Sequence, residues 1–431
     1  MSTKHAVLAM INFITKNLND NKYVIAIFID IMKAFDSVSH DILYKKLENA
    51  GIRGITLLWF KSYFEGRFQR FFLNNVYSDN VCRIILGVLQ GSILGVILFL
   101  IMINEIQLTC PELLCIIFSD DDTSLAEDST LEGVIKKANL GLEKLVNWYS
   151  ANLFAIHPGK SKCMLFQNKK RHNPSQLTNN NALVVNEDII VNNVALPIVI
   201  NLNNVGENIS DKISFITQVP NSEEHSIKVL GILLDDKLTF KDHIDYIYSK
   251  ISRSLYTLKQ MRNILDRCHL KLLFSAYLKS HLDYADIFYC LCNKRTLNPL
   301  TLLYKKAIRV LSGAAYLDHT KPLFLENKIL PINENSEFNI LKLMFRCDRG
   351  NLPHCLKSYW RKCMSVSGRE SRNGDKFYQE KINFNYLANC PYFCYPKLYN
   401  NLPEEFRLLT DEKEFAKKVK EYLFDRYEEE D

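Results

Sequence analysis

The run YVIAIFID, Tyr23 to Asp30, is β-branched and aromatic with no polar break before its last position. Such a run reads as a buried strand, and this one ends on a carboxylate. In KAFDSVSHDILYKKLENAG the apolar residues recur at helical spacing, and Gly51 is placed to stop the helix. ITLLWFKSYF reads as a second short helix, while RFQRFFLNN and VCRIIL read as strands about a turn. Gln90 to Glu105 has a helical pattern, LLCIIF is a strand, and TSLAED is its hairpin partner. An amphipathic helix follows from Leu131 to Asn152, and SKCMLF is one more strand. Strands and helices are mixed throughout, in the α+β manner.

Near Asn168 the pattern lapses. Residues 171–226 are rich in Asn, Ser and Val, with short strand-like runs such as ALVV and LPIVI, and read as an insertion. Beyond it, VLGILLDDKLTFKDHIDY begins as strand and turn. It continues as a helix with an apolar stripe of Ile244, Ile247, Ile251, Leu255 and Leu258. The pattern stays helical to about Phe345, and the last 80 or so residues are mixed and aromatic-rich. The chain thus reads as four segments, 1–170, 171–226, 227–345 and 346–431. It holds no internal repeat.

Composition narrows the class. A length of 431 residues suits about two or three domains, and 47% hydrophobic content excludes a disordered chain. The net charge of +6 is small but uneven: Lys237 to Arg309 carries 14 Lys or Arg against 5 Asp or Glu. A block of that sign can follow a phosphate backbone, or can be a solvated helix face. Twelve cysteines lie among apolar neighbours, as expected of reduced thiols inside a cell. Cys290 with Cys292 and Cys390 with Cys394 lack the second pair and histidine of a zinc site. No secretory leader is visible, and the longest apolar run, Ile84 to Ile103, is broken by GVLQGS, so no membrane span is expected.

Candidate chemistry centres on CIIFSDDDTSLAED, Cys115 to Asp128, where an apolar strand runs into three aspartates. Negative charge at a buried strand end must recover its desolvation cost from something positive. With Asp30 ending another strand, the set can serve two Mg²⁺ ions about 4 Å apart, which activate a hydroxyl and stabilise a leaving pyrophosphate. Alone, an acidic hairpin is more often a solvated turn.

Three segments in order change that weighting: FIDIMKAFDSVSHDILYKKLENAGIRG, GVLQGSILGVILFLIMINEI and FSDDDTSL. They resemble the three palm motifs of reverse transcriptases from non-LTR retrotransposons, of the jockey-like sort. ANLFAIHPGKSKCMLF and VLGILLDDKLTFKDHI resemble the later palm motifs, KKAIRVLSGA and YPKLYNNLPEEFR the C-terminal region of such elements, and MSTKHAVLAMINFI the segment before the first motif. The resemblance covers nearly all the chain outside 171–226.

The resemblance implies a right-hand polymerase: a palm of antiparallel sheet with packed helices and partial fingers (1–170), a palm end and helical thumb (227–345), and a mixed C-terminal domain (346–431). It implies RNA-directed DNA synthesis with two Mg²⁺ ions, or Mn²⁺, acting on an RNA template, a DNA primer and dNTP. Asp30, Asp120 and Asp121 would be catalytic and bind metal, together with the main-chain carbonyl of Ile31. Phe35 would pack under the nucleotide sugar, Gln90 and Gly91 would lie along the nascent base pair, and Lys160 would sit by the leaving phosphates. Leu230 and Gly231 would hold the primer end, and Lys250, Arg253 and Arg262 would meet nucleic acid from the thumb. In the family two aspartates follow a small residue, usually Ala, and precede Thr; here one residue too many separates Phe118 from Thr123. The pair is Asp120 with Asp121, Ser119 taking the small site, or Asp121 with Asp122. The first choice avoids burying an extra carboxylate and makes Asp122 an insertion that lengthens the hairpin. Leu89 and Val96 stand where the family commonly has prolines, which loosens two turns.

The start just ahead of the first motif implies a 5′-truncated copy that lacks most of the fingers and polymerises weakly or not at all. The expected place is intracellular, nuclear or cytoplasmic. Two other classes remain open: a catalytically dead nucleic-acid-binding remnant, and a two-metal nuclease, which the motif order and Gln90 disfavour.

Overall fold

A computed structural model describes residues 2–157, 160–168, 226–367 and 374–429, and between them two short strands, Leu196–Ile200 and Ile213–Phe215. The chain divides into two compact units: Lys22–Glu224, and Met1–Asn21 together with His225–Asp431. The first helix, α1 (Thr3–Asn19), therefore belongs with the C-terminal half.

The unit Lys22–Glu224 is built on β1 (Tyr23–Asp30), whose two flanks are both paired. After it come α2 (His40–Asn49) and α3 (Gly54–Phe64). Residues expected to form two strands make instead four two-residue strands, β2 (Phe68–Gln69), β3 (Phe72–Leu73), β4 (Val76–Tyr77) and β5 (Cys82–Arg83), paired β2 with β5 and β3 with β4. All are exposed, so no apolar face holds a longer ladder together. Helix α4 (Ile93–Ile103) starts after Ser92, whose hydroxyl accepts from the Gly95 amide at 2.9 Å. Then come α5 (Ile106–Thr109), β6 (Leu114–Phe118), β7 (Asp121–Asp128), α6 (Leu131–Ala151) and β8 (Lys162–Phe166). Leu196–Ile200 is β9 and Ile213–Phe215 is β10, and they extend one sheet of order β10-β9-β8-β1-β7-β6, antiparallel at every pair. These two strands fall in the stretch expected as an insertion; its other residues lie outside the described residues.

A strand shows alternate side chains to opposite faces, and the faces of this sheet differ accordingly. Ile25, Ile27 and Ile29 of β1, Cys115 of β6 and Ala126 of β7 join Leu98, Phe99 and Met102 of α4 and Leu142, Leu145 and Val146 of α6 in one core. Asp30 is even-numbered, so it lies on the other face.

In the second unit, β11 (Ser226–Val229) and β12 (Ile232–Asp235) form a hairpin that leads into α7 (Lys241–Met261). Asp235 receives the amides of Lys237, Thr239 and Phe240 and so shapes the entry to α7. The five apolar residues of the α7 stripe are all buried. Helix α1 is tied in by Lys4, which meets the buried Asp286 at 2.8 Å and the Asp283 carbonyl, and by Asn19, whose amide donates to the Lys381 carbonyl at 3.0 Å. The region expected to be mixed, 346–431, has helices and turns but no strand among the described residues, only an isolated bridge of Lys362 with Phe377. Its aromatics fill helix contacts instead: Phe415 stacks on Phe345 at 4.1 Å, and Tyr395 and Tyr399 are buried. Among the described residues no helix is long and apolar enough to cross a membrane.

Candidate active site

Asp30 is the last residue of β1, and in the β1–β7 register it lies directly opposite Asp121. Directly opposed residues have Cβ atoms about 4.5–5.5 Å apart, and like charges placed so repel. On its other side Asp121 pairs with Phe118 of β6, leaving a turn of only two residues, Ser119 and Asp120. Ser119 takes the left-handed φ of 58° that such a tight hairpin demands. Asp30, Asp120 and Asp121 thus share one rim of the sheet. The Asp121 carboxyl is pushed above the usual carboxylate range, first by desolvation and then by the charges of Asp120 and Asp30, although solvent reaches the residue.

Asp122 is not an insertion in the turn, and the hairpin is not lengthened. The two-residue turn closes without a bulge, and Asp122 lies in the ladder opposite Ile29 and Ile117. It therefore occupies the strand position where the family pattern has Thr. Its side chain points to the core face and is 2% exposed. There it accepts from Tyr149 Oη at 2.9 Å and from Ser124 Oγ at 3.0 Å. Burial pushes its carboxyl up to about 6, against the pull of both hydrogen bonds.

The loop after α6 closes the other flank of Asp30. The His157 amide donates to the Asp30 carbonyl at 2.8 Å, the Asp30 amide to Ser161 Oγ at 3.2 Å, and the Met32 amide to the Ala155 carbonyl at 2.8 Å. Ile31 bridges Ile156, but those bonds use the Asp30 carbonyl and the Met32 amide, so the Ile31 carbonyl stays outside the ladder. This loop carries Lys160, whose Nζ lies 3.7 Å from Asp30 Oδ2.

The segments around Phe35 and Gln90 are laced together. The Val88 amide donates to the Phe35 carbonyl and the Gly87 amide to the Val38 carbonyl, both at 2.8 Å. Gly87 has φ 91°, and a Cβ there would come within 2.9 Å of Asp36 Cα, so this crossing needs glycine. Phe35 stacks on Phe99 with centroids 4.7 Å apart. Gln90 Nε2 donates to Asp36 Oδ1 at 3.0 Å, and Gly91 has φ 81°. Leu89 does not leave its turn loose: the Ser92 hydroxyl donates to the Leu89 carbonyl at 2.9 Å. Val96 lies within the first turns of α4. Sequence reasoning missed Asp36, Gly87 and Tyr149. The glycine of GVLQG was the one available signal, since it sits beside the residues the motif does name.

The remaining candidates lie in the other unit. Leu230 and Gly231 form the β11–β12 turn with φ of 46° and 83°, and Tyr284 Oη donates to the Leu230 carbonyl at 2.5 Å. Lys250 lies 5.4 Å from the Tyr246 ring, and Arg253 bonds back to the Ser249 carbonyl at 3.3 Å. Arg262 donates to the Gly313 carbonyl at 2.9 Å, so part of its donor set is used within the protein.

Among the described residues no three His, Cys, Asp or Glu side chains converge closely enough to hold a metal ion on their own. The donor chemistry of the rim nonetheless fits a hard divalent cation. The crowding of charge that raises the proton affinity of Asp121 is relieved by such an ion, and Mg²⁺ commonly takes only one or two protein carboxylates plus substrate oxygens.

The sheet rim thus brings together opposed aspartates and a lysine beside one of them. Residues 2–234 match the family described as reverse transcriptase (RNA-dependent DNA polymerase), and the chain belongs to that family. It is similar to the RNA-directed DNA polymerase from mobile element jockey of Drosophila funebris, 24% identical over 341 residues, covering 75% of this chain and 32% of the relative. The protein of the same name from Drosophila melanogaster is 22% identical over 348 residues, 78% of this chain and 34% of the relative. The probable RNA-directed DNA polymerase from transposon BS of Drosophila melanogaster is 25% identical over 280 residues, 61% of this chain and 26% of the relative. The chain spans about a third of the length of the curated relatives it matches.

Proposed function

We propose that the chain acts as the RNA-directed DNA polymerase of a non-LTR retrotransposon, with the sheet of Lys22–Glu224 as palm and α7 with its helical neighbours as thumb. The observation that carries this reading is the direct opposition of Asp30 and Asp121 across β1 and β7. Asp30, Asp120 and Asp121, with the Ile31 carbonyl, would hold Mg²⁺ or Mn²⁺, and the bound ions would activate the primer 3′-hydroxyl and stabilise the leaving pyrophosphate.

The chain's own residues do the rest by position and charge. Lys160, beside Asp30, faces the leaving phosphates of the dNTP with a positive charge. Phe35, backed by Phe99, forms a floor under the sugar that leaves no room for a 2′-hydroxyl. Gln90, oriented by Asp36, lies along the nascent base pair, and Gly91 lets the bases approach because it has no Cβ. The Leu230–Gly231 turn holds the primer end. Lys250, Arg253 and Arg262 meet the phosphate backbone, which makes template and primer binding weaken with salt. With nucleic acid and nucleotides as substrates, the protein works in the nucleus or cytoplasm.

Primer extension on an RNA template with Mg²⁺ tests this. Asp30→Ala and Asp121→Ala should each lower extension by more than about 100-fold, since even residues that only support metal ligands cost about 10- to 100-fold. Extension that survives in Asp30→Ala would overturn the reading. Salt-dependent binding without extension would favour a nucleic-acid-binding remnant, and cleavage without extension a nuclease.

A further inference from the structure

The buried side of the Asp hairpin holds a second, chain-specific arrangement. Asp122 follows Asp121 directly but projects through the sheet to the core face, where it is 2% exposed. Its two partners are neutral hydroxyls, Tyr149 Oη on Oδ2 and Ser124 Oγ on Oδ1. A buried carboxylate that, among the described residues, is met by hydroxyls rather than by a cation costs stability. Such a cost is commonly tolerated near functional sites.

Tyr149 makes a rigid anchor. It sits on α6, is 1% exposed, and its ring is held edge-on by Trp148 at 5.3 Å and by Phe154 at 6.5 Å. Phe154 in turn meets Phe99 at 6.1 Å, and Phe99 stacks on Phe35. One aromatic row thus runs from the underside of the hairpin to the floor of the nucleotide site. The Tyr149–Asp122 bond fastens the start of β7 to that row, one residue from Asp121, which itself lies across the ladder from Asp30.

We propose that Asp122 and Tyr149 are positioning residues that hold the Asp121 carboxylate against Asp30, and so set the affinity of the rim for its divalent cation. The inference rests on the reading of the rim as a metal site. Neither side chain touches substrate; both act through β7.

The test is Mn²⁺ binding by the full chain, followed by electron paramagnetic resonance with a primer–template present, so that the readout does not need turnover. Tyr149→Phe keeps the ring and removes only the hydroxyl; it should bind Mn²⁺ about tenfold more weakly, the lower end of what supporting residues cost. Asp122→Leu should match it. Asp122→Asn keeps an acceptor for Tyr149 and should stay within about twofold of the parent, a rescue that mere filling of space would not give. Combining Tyr149→Phe with Asp122→Leu should be no worse than either alone, because both remove the same bond. Thermal melts of each variant confirm that it is folded. Parent-like Mn²⁺ affinity in folded Tyr149→Phe would overturn the proposal while leaving the metal site standing. A parent that binds no more Mn²⁺ than a variant carrying both Asp30→Ala and Asp121→Ala would overturn the metal reading, and this proposal with it.

Discussion

His243 is fully buried, its Nδ1 accepts the Leu233 amide at 3.4 Å, and its Nε2 finds no partner. Burial pulls its proton affinity down to about 4 from the ordinary 6.5. Between those values the unfolded chain binds a proton that the folded chain refuses. The stability owed to the neutral ring is therefore complete above about 6.5 and is lost as pH falls toward 4, about 3 kcal/mol in all. Asp122 works in the opposite sense. Its carboxyl, raised to about 6 by burial, contributes stability that is complete below the ordinary 3.8 and is lost as pH rises through 6. The two effects oppose one another over the same window, so the parent's stability should change little across it on their account. In His243→Gln the compensation is gone: urea midpoints should show the gap to the parent narrowing by about 3 kcal/mol from pH 7.5 to pH 4. A constant gap would mean that His243 charges in the folded protein. At this scale the sequence was legible where a residue ends a strand, as Asp30 does. It was not legible at Asp122, because the face on which each of three identical letters lands depends on the length of the turn, and that depends on the left-handed φ of Ser119.

Helix α4 is apolar on every side, and a helix of that kind is normally buried all round. Here Leu98, Phe99 and Met102 enter the core while Ile93, Val96, Ile97 and Leu100 face outward, at 86%, 43%, 49% and 44% exposure. Charging the outer face should thus cost little: Ile97→Lys with Leu100→Glu should change stability by less than about 0.5 kcal/mol each and reduce aggregation. Thermal melts and light scattering check this, and a fall of more than about 4 °C in Tm would mean that the face is packed. Periodicity reads β1, β6, α6 and α7 well, because each buries a definite face or stripe. It fails between Phe68 and Arg83, where β-forming residues lie exposed in two-residue ladders, and in the C-terminal region, where aromatics fill helix contacts that no local pattern announces.

At the scale of the whole molecule, the unit containing α7 is assembled from both ends of the chain. Lys4 reaches Asp286, 282 residues away, and Asp286 is only 1% exposed. Asn335, Asn339 and the Ile287 amide also bond to it, but none of these brings a positive charge. Lys4→Met should therefore leave a buried carboxylate without its cation and cost about 3 kcal/mol. Amide hydrogen exchange should quicken in residues 286–291 and in the helix Ile332–Asp348, while β1 and β7 keep their protection; equal loss in both units would sink this account. The same connection fixes an order of events during synthesis. Ribosomes add about 5–20 residues per second, so α1 is synthesised about 13 to 53 seconds before Asp286 is made. For that interval Leu8, Ile11 and Ile14, each wholly buried in the finished protein, have no native surface to cover them. The sheet unit can close in the meantime, so α1 is made before it and finds its place after it. A cell producing this protein must shield that helix while its partners are still being translated.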